Sequence, residues 1–274
     1  MPTLTTSNLF DVAAACLAEP DPERKQALTA QAAAAWAAGE LSLDPAGAGP
    51  VCDTPGRPAR PELVEPRQLK ARKLLSPEGR AALIHAVTHI EFNAINLAWD
   101  AVQRFRDLPR AFYDDWVQVA AEEAEHFALM RGRLIDLGHD YGDFPAHDGL
   151  WTMASRTAHD PLVRMALVPR VLEARGLDVT PGMIERLRAV GDTQTAERLG
   201  VILREEVGHV AAGSRWFRYL CEQRGLAPGP TYFELIATWL TGEIRCPLNR
   251  ADRQRAGFDE DELERLEGLC AQGR

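Results

Sequence analysis

The chain has 274 residues, 46% of them hydrophobic, and 31 Lys and Arg against 40 Asp and Glu give a formal net charge of −9. This composition supports a sizeable core, excludes global disorder and argues against a general nucleic-acid coat. No apolar run approaches a membrane span, and the start MPTLTTSNLFDVAAACLAEP has no basic region followed by a hydrophobic core, so a cytoplasmic protein without a membrane partner is expected.

In chain order, residues 7–18 and 21–39 read as two short Ala-rich helices with Gly39 as a stop. Residues 44–66, DPAGAGPVCDTPGRPARPELVEP, are rich in proline and read as an extended connector laid over the rest. Arg57, Arg60, Arg67, Lys70, Arg72 and Lys73 make a basic run behind it, read as a solvated or acid-paired surface, with contact to a phosphate-bearing partner as the functional alternative. Ser76-Pro77-Glu78 starts a helix to about Arg106. Pro109 opens the next, which ends at Gly138.

Residues 138–154 form a turn-rich crossover containing Tyr141, Phe144, His147 and Trp151, with His147 and His159 as surface or capping groups. Asp160-Pro161 begins a third helix that Pro169 should kink, and Gly176 to Pro181 is expected to interrupt it. Asp192 caps a fourth long helix to about 224; a short helix near 231–241, an arginine-rich loop around 245–255 and a last helix from about Asp259 complete the chain. The predicted organisation is an N-terminal helical extension (1–43), a Pro-rich connector (44–75), a four-helix bundle with a long crossover (76–225) and a C-terminal helical extension (226–274). Cys16, Cys52, Cys221, Cys246 and Cys270 are odd in number, scattered and without a C-x-x-C pair, which predicts free thiols in a reducing compartment.

Chemistry concentrates on four stretches of this all-α chain. Glu91 lies in HIEFN, Glu123 and His126 in EEAEHF, Glu173 in LEARG, and Glu206 and His209 in EEVGHV. In a four-helix bundle, Glu, Glu-x-x-His, Glu, Glu-x-x-His is a ligand set for two iron or manganese ions. Spacing strengthens the pattern: 32 residues separate Glu91 from Glu123 and 33 separate Glu173 from Glu206, as in a duplicated helical hairpin. The heptad neighbours of these residues, such as Ile84 and Ala98 around Glu91 or Trp116 and Met130 around Glu123, are apolar or small. Buried carboxylates in such a stripe require compensating cations. A single Glu-x-x-His would carry little weight, because helices contain it by chance; two copies with two matched glutamates carry much more. His85 and His89 lie roughly 120° and 160° around the helix from Glu91, which suits packing or outer hydrogen bonding to the site. Arg170 and Arg175 bracket Glu173 and could pair with a core acid.

At these residues the chain resembles the ferritin-like superfamily. Through GRPARPELV, HAVTHIEFNAINLAWDAV, DWVQVAAEEAEHF, YGDFPAHDGLW, VPRVLEARGLDVTP and EEVGHV it is similar to a bacterial family labelled as a domain of unknown function. A more distant similarity, confined to the site helices, is to the tRNA-modifying non-haem di-iron monooxygenase. The resemblance implies a di-iron oxidoreductase, with manganese as an alternative metal. It would activate O₂ to oxidise a small-molecule or tRNA substrate and draw on an electron donor; a homodimer is compatible with it. The alternatives are ferroxidase, iron-handling or peroxide-scavenging activity, and a metal-free helical scaffold.

Overall fold

The structure, a computed structural model, describes residues 6–69, 73–240 and 242–271, so Lys70 and Arg72 of the first basic run lie outside the described residues. Among the described residues every regular element is helical, and two isolated bridges, Asn8 to Ser42 and Leu63 to Ala146, pair extended segments. The chain divides into two compact units, the first ending at Ser155 and the second starting at Arg156.

The first unit contains α1 (Leu9–Ala18), α2 (Pro22–Ala37), α3 (Pro77–Arg104), α4 (Arg110–Asp136) and most of α5 (Gly149–Arg156). Helix starts follow cap chemistry: the side chains of Asn8, Asp21 and Ser76 accept the backbone N–H of Phe10, Arg24 and Gly79, and Pro22 and Pro77 sit in first turns that need no donor. Gly138, at φ 79°, follows the end of α4. Helices α3 and α4 form an antiparallel hairpin clasped at its turn by Tyr113, whose hydroxyl donates to Phe105 O at 2.8 Å and accepts Leu108 N–H at 3.2 Å.

From Glu91 to Gln103 every residue of α3 is buried, a helix covered all round. Its polar side chains are met by the N-terminal helices and the connector. Trp99 Nε1 donates to Thr29 Oγ1 at 2.9 Å, and Lys25 Nζ donates to Asn96 Oδ1 at 2.6 Å and to the carbonyls of Cys16 and Leu17. The Gln103 amide donates to Cys52 O and accepts from Cys52 N, while Arg57 pairs with Asp148 at 2.6 Å. The Pro-rich connector is thus laid down on its own unit.

The second unit holds α6 (Pro161–Leu167), a π-helical segment (Val168–Glu173), α7 (Ala174–Ala189), α8 (Thr193–Gln223), α9 (Pro228–Trp239), α10 (Arg250–Arg255) and α11 (Glu260–Ala271). Pro169 has no N–H to donate, and the chain absorbs it by widening into π geometry, where Ala174 N–H bonds Pro169 O. The kink expected at Pro169 is therefore a π segment.

Two expectations are corrected. Helix α7 runs through Gly176 and Pro181 without interruption. Pro181 leaves Leu177 O without its helical donor, and Asn249 Nδ2 supplies one at 3.1 Å from 72 residues away. Cys246 and Cys270 are joined in a disulfide across 24 residues, their Cα atoms brought to 5.8 Å by the return of α11 toward the loop before α10; Cys16, Cys52 and Cys221 remain thiols. Among the described residues, no helix is long and apolar enough to cross a membrane.

Candidate metal centre

In the first hairpin, α3 ends 13 residues after Glu91 and α4 begins 13 residues before Glu123, so equal arms bring the two carboxylates to one height. The third group joins them on the same buried face. His126 Nδ1 lies 3.5 Å from Glu91 Oε2 and 3.5 Å from Glu123 Oε2, with Glu91 4%, Glu123 1% and His126 1% exposed.

The electrostatics expose a charge deficit. Burial alone opposes an imidazolium at His126, yet the hydrogen-bonding and charge of Glu123 and Glu91 outweigh it and push this histidine up to about 11. Two carboxylates out of water demand positive charge, and a cation at this point would supply it. Carboxylate and imidazole donors suit iron, manganese or zinc, and two oxygens with one nitrogen favour the harder ions.

In the second unit, Glu206 and His209 stand one turn apart on α8, with His209 Nδ1 3.5 Å from Glu206 Oε1 and only 1% of the histidine side chain exposed. Glu173 is the last residue of the π segment and half-buried. Its height is set by one close contact. A Cβ on Gly213 would fall 2.3 Å from the Cβ and Cγ of Pro169, so α8 touches the π segment there and only glycine fits. Glu173 lies four residues after Pro169 and His209 four before Gly213. In an antiparallel pair both are displaced the same way, by roughly 5–6 Å, so Glu173 stands level with His209. The acid and imidazole groups that could hold a metal ion, among the described residues, include Glu123 and His126 in the first unit and Glu206 and His209 in the second.

The remaining sequence candidates have other partners. His85 Nε2 accepts Gly142 N–H at 2.9 Å, and His89 Nδ1 bonds Tyr141 Oη at 2.9 Å while its Nε2 lies 3.2 Å from His147 O. Both histidines tie the crossover to α3. Burial pushes each down to about 4, so both are neutral acceptors or donors at ordinary pH. Tyr141, named in the sequence only as a member of the crossover, also packs against Phe92 and Phe127, the residues next to Glu91 and His126; an aromatic in a crossover carries no periodic signal that would assign it this role. His147 and His159 are exposed, as expected.

Arg170 is fully buried and donates to both oxygens of Glu262 at 2.8 and 2.7 Å, beneath the rings of Phe217, Tyr232 and Phe258. The expected core acid is therefore a residue of α11. Arg175 donates to Arg245 O at 2.9 Å and lies 3.9 Å from Asp178. In the second basic cluster Arg250 pairs with Glu260 and Glu267, Arg253 with Asp178, and Arg255 with Asp252.

Residues 18–264 match the family described as "Protein of unknown function (DUF455)". An uncharacterized protein of Haemophilus influenzae (strain ATCC 51907 / DSM 11121 / KW20 / Rd) is 45% identical over 214 residues, which is 76% of this chain and 74% of the relative. No solved structure matches the chain. The match over nearly the whole chain and the identity of the Haemophilus relative place it: the chain belongs to the DUF455 family of proteins of unknown function.

Proposed function

We propose that this protein is a ferritin-like di-metal oxidoreductase in which Glu91, Glu123, His126, Glu173, Glu206 and His209 hold two iron ions, with manganese as the alternative. The observation that carries the reading is the buried Glu91, His126 and Glu123 group, whose two carboxylates draw a proton onto the imidazole and whose charge a metal would balance. The second Glu-x-x-His repeats the same residue types on α8, and the level of Glu173 with His209 supplies the fourth carboxylate. An iron pair bound there would supply redox chemistry with dioxygen. The chain's own part is to bury Glu91, Glu123, His126 and His209 and to fix the height of the ligand groups within each hairpin.

A small-molecule substrate fits better than tRNA, because Arg250, Arg253 and Arg255 are engaged by acids of their own unit and Arg57 by Asp148. One observation favours a metal-free scaffold as the second reading: a proton on His126 offsets part of the carboxylate charge without any metal.

Elemental analysis of protein produced with ample iron and manganese separates the two readings. Two metals per chain, lost in both Glu123→Ala and Glu206→Ala, is the expected result. No transition metal after anaerobic reconstitution with ferrous iron would leave the scaffold, and full occupancy in both variants would overturn the ligand assignment.

A further inference from the structure

The helix that carries Glu173 is irregular, and one stretch of chain grips it on both sides of that residue, at Arg170 in the π segment and at the first turns of α7. Arg170 O accepts the Tyr232 hydroxyl at 2.9 Å, Ala174 O accepts Arg253 Nη2 at 3.4 Å, and Leu177 O accepts Asn249 Nδ2 at 3.1 Å. The Arg170 guanidinium is bound by Glu262, and Arg175, two residues beyond Glu173, donates to Arg245 O. Asp178, almost fully buried, takes two hydrogen bonds from Arg253 and one from Asn249 N–H. Apart from the Tyr232 bond, each of these contacts comes from the segment between Arg245 and Glu262.

All of that segment except Arg245, which sits at its edge, lies inside the loop closed by Cys246 and Cys270. Cys246 follows Arg245 directly and precedes Asn249 by three residues; Cys270 lies near the end of α11, the helix of Glu262. The two sulfurs differ in their surroundings from the thiols of Cys16 and Cys221. Cys246 is exposed and Cys270 half-buried, whereas Cys16 and Cys221 are buried and burial pushes Cys16 up to about 12. A reductant in solution can reach the disulfide, while the buried thiols stay protonated and inert.

We infer that the Cys246–Cys270 disulfide is a redox latch: closed, it holds residues 245–262 against the helix of Glu173, and opened, it loosens that helix and the metal ligand on it. The metal part of this inference rests on Glu173 being a ligand as proposed above; the helix part does not. Opening requires a dithiol reductant. One thiolate of the reductant attacks Sγ of Cys246, the S–S bond breaks, and Cys270 leaves as a thiolate that takes up a proton. The second thiol of the reductant then displaces Cys246 from the mixed disulfide. Two electrons and two protons pass to the protein, and the reductant ends as a cyclic disulfide.

The test compares full-length oxidised protein, the same protein treated with dithiothreitol, and the Cys246→Ser/Cys270→Ser variant by amide hydrogen exchange. Opening the latch should speed exchange of the amides in residues 168–178 by about tenfold, with the variant behaving as the reduced protein whether or not dithiothreitol is present. In protein loaded with Mn(II), the same treatments should speed transfer of the metal to a chelator. Faster exchange confined to residues 242–271 would overturn the latch, as would free thiols at both positions after air oxidation, or a response to dithiothreitol that persists in the variant. The treated wild-type protein keeps the test decisive if the variant folds poorly. A protein that never takes up Mn(II) yet shows the exchange response would support the latch and remove the metal reading.

Discussion

Replacing Glu262 by Gln removes one charge from a deeply enclosed ion pair of the second unit and little else. The guanidinium of Arg170 is 0% exposed, its Nη2 donates to both Glu262 oxygens, and among the described residues its Nε and Nη1 have no hydrogen-bond acceptor. Glutamine keeps the length of the side chain and can still accept from Asp259 N–H, the bond that helps Glu262 start α11. What is lost is the compensation of a buried charge, an effect of about 3–5 kcal/mol when one partner of such a pair is removed. The rings of Tyr232, Phe258 and Phe217, at 4.1, 4.5 and 4.8 Å from the guanidinium carbon, retain part of the attraction, which places the cost near the lower end, about 3 kcal/mol. Urea unfolding followed by far-ultraviolet circular dichroism and tryptophan fluorescence measures it. Arg170→Met alone should cost a similar amount, and the double variant distinctly less than the sum, a coupling of about 2 kcal/mol. Salt should change it little, because the pair is out of reach of counterions. Additive single effects would refute the argument and mean that Arg170 reaches water in solution.

Gly213→Ala places a methyl group 2.3 Å from the Pro169 ring and should destabilise by about 1–3 kcal/mol, although alanine is the better helix former; a neutral or stabilised variant would show that α8 and the π segment stand further apart. His85 gives a pH dependence. Burial holds its folded pKa near 4, below the ordinary 6.5; the nearby Asp143 and Asp140, which raise it, do not reverse that, and His139 lowers it further. The unfolded chain therefore protonates first, so stability is complete above about pH 6.5 and falls by up to about 3 kcal/mol toward pH 4, where the acceptor of Gly142 N–H is also lost. His85→Gln should flatten that part of the stability profile, and an unchanged slope would assign it elsewhere. Lys25→Met leaves Cys16 O, Leu17 O and Asn96 Oδ1 without their donor and should cost about 3 kcal/mol in thermal or urea unfolding. Burial pushes Lys25 down to about 7, but three acceptors at 2.6–2.9 Å match the three N–H groups of an ammonium, and that geometry favours the charged form. A cost below about 1 kcal/mol would mean that water reaches those acceptors.

The long helices were legible because their signals are local. Ser76-Pro77, Asp160-Pro161 and Asp192 fix helix starts through bonds to residues two or three positions on, and Gly138 marks a stop, so no distant chain is needed to read them. The acid and histidine positions were legible for the same reason. Three-residue spacing places Glu123 with His126 on one face of α4 and Glu206 with His209 on one face of α8, and equal arms about the first turn bring Glu91 to the height of Glu123.

Tertiary structure decided what depends on groups far along the chain. Pro181 reads as a break until Asn249 gives Leu177 O the missing donor, and Pro169 reads as a kink until Gly213 and the π turn accommodate its ring. Scattered cysteines read as free thiols until the return of α11 brings Cys270 to Cys246, and Arg170 reads as a ligand neighbour until α11 presents Glu262. In each case the residue alone carries an unmet requirement, for a donor, a gap, a sulfur or a counter-charge. Sequence fixes the requirement, while the partner that meets it is chosen only when the folded chain brings distant segments within bonding distance.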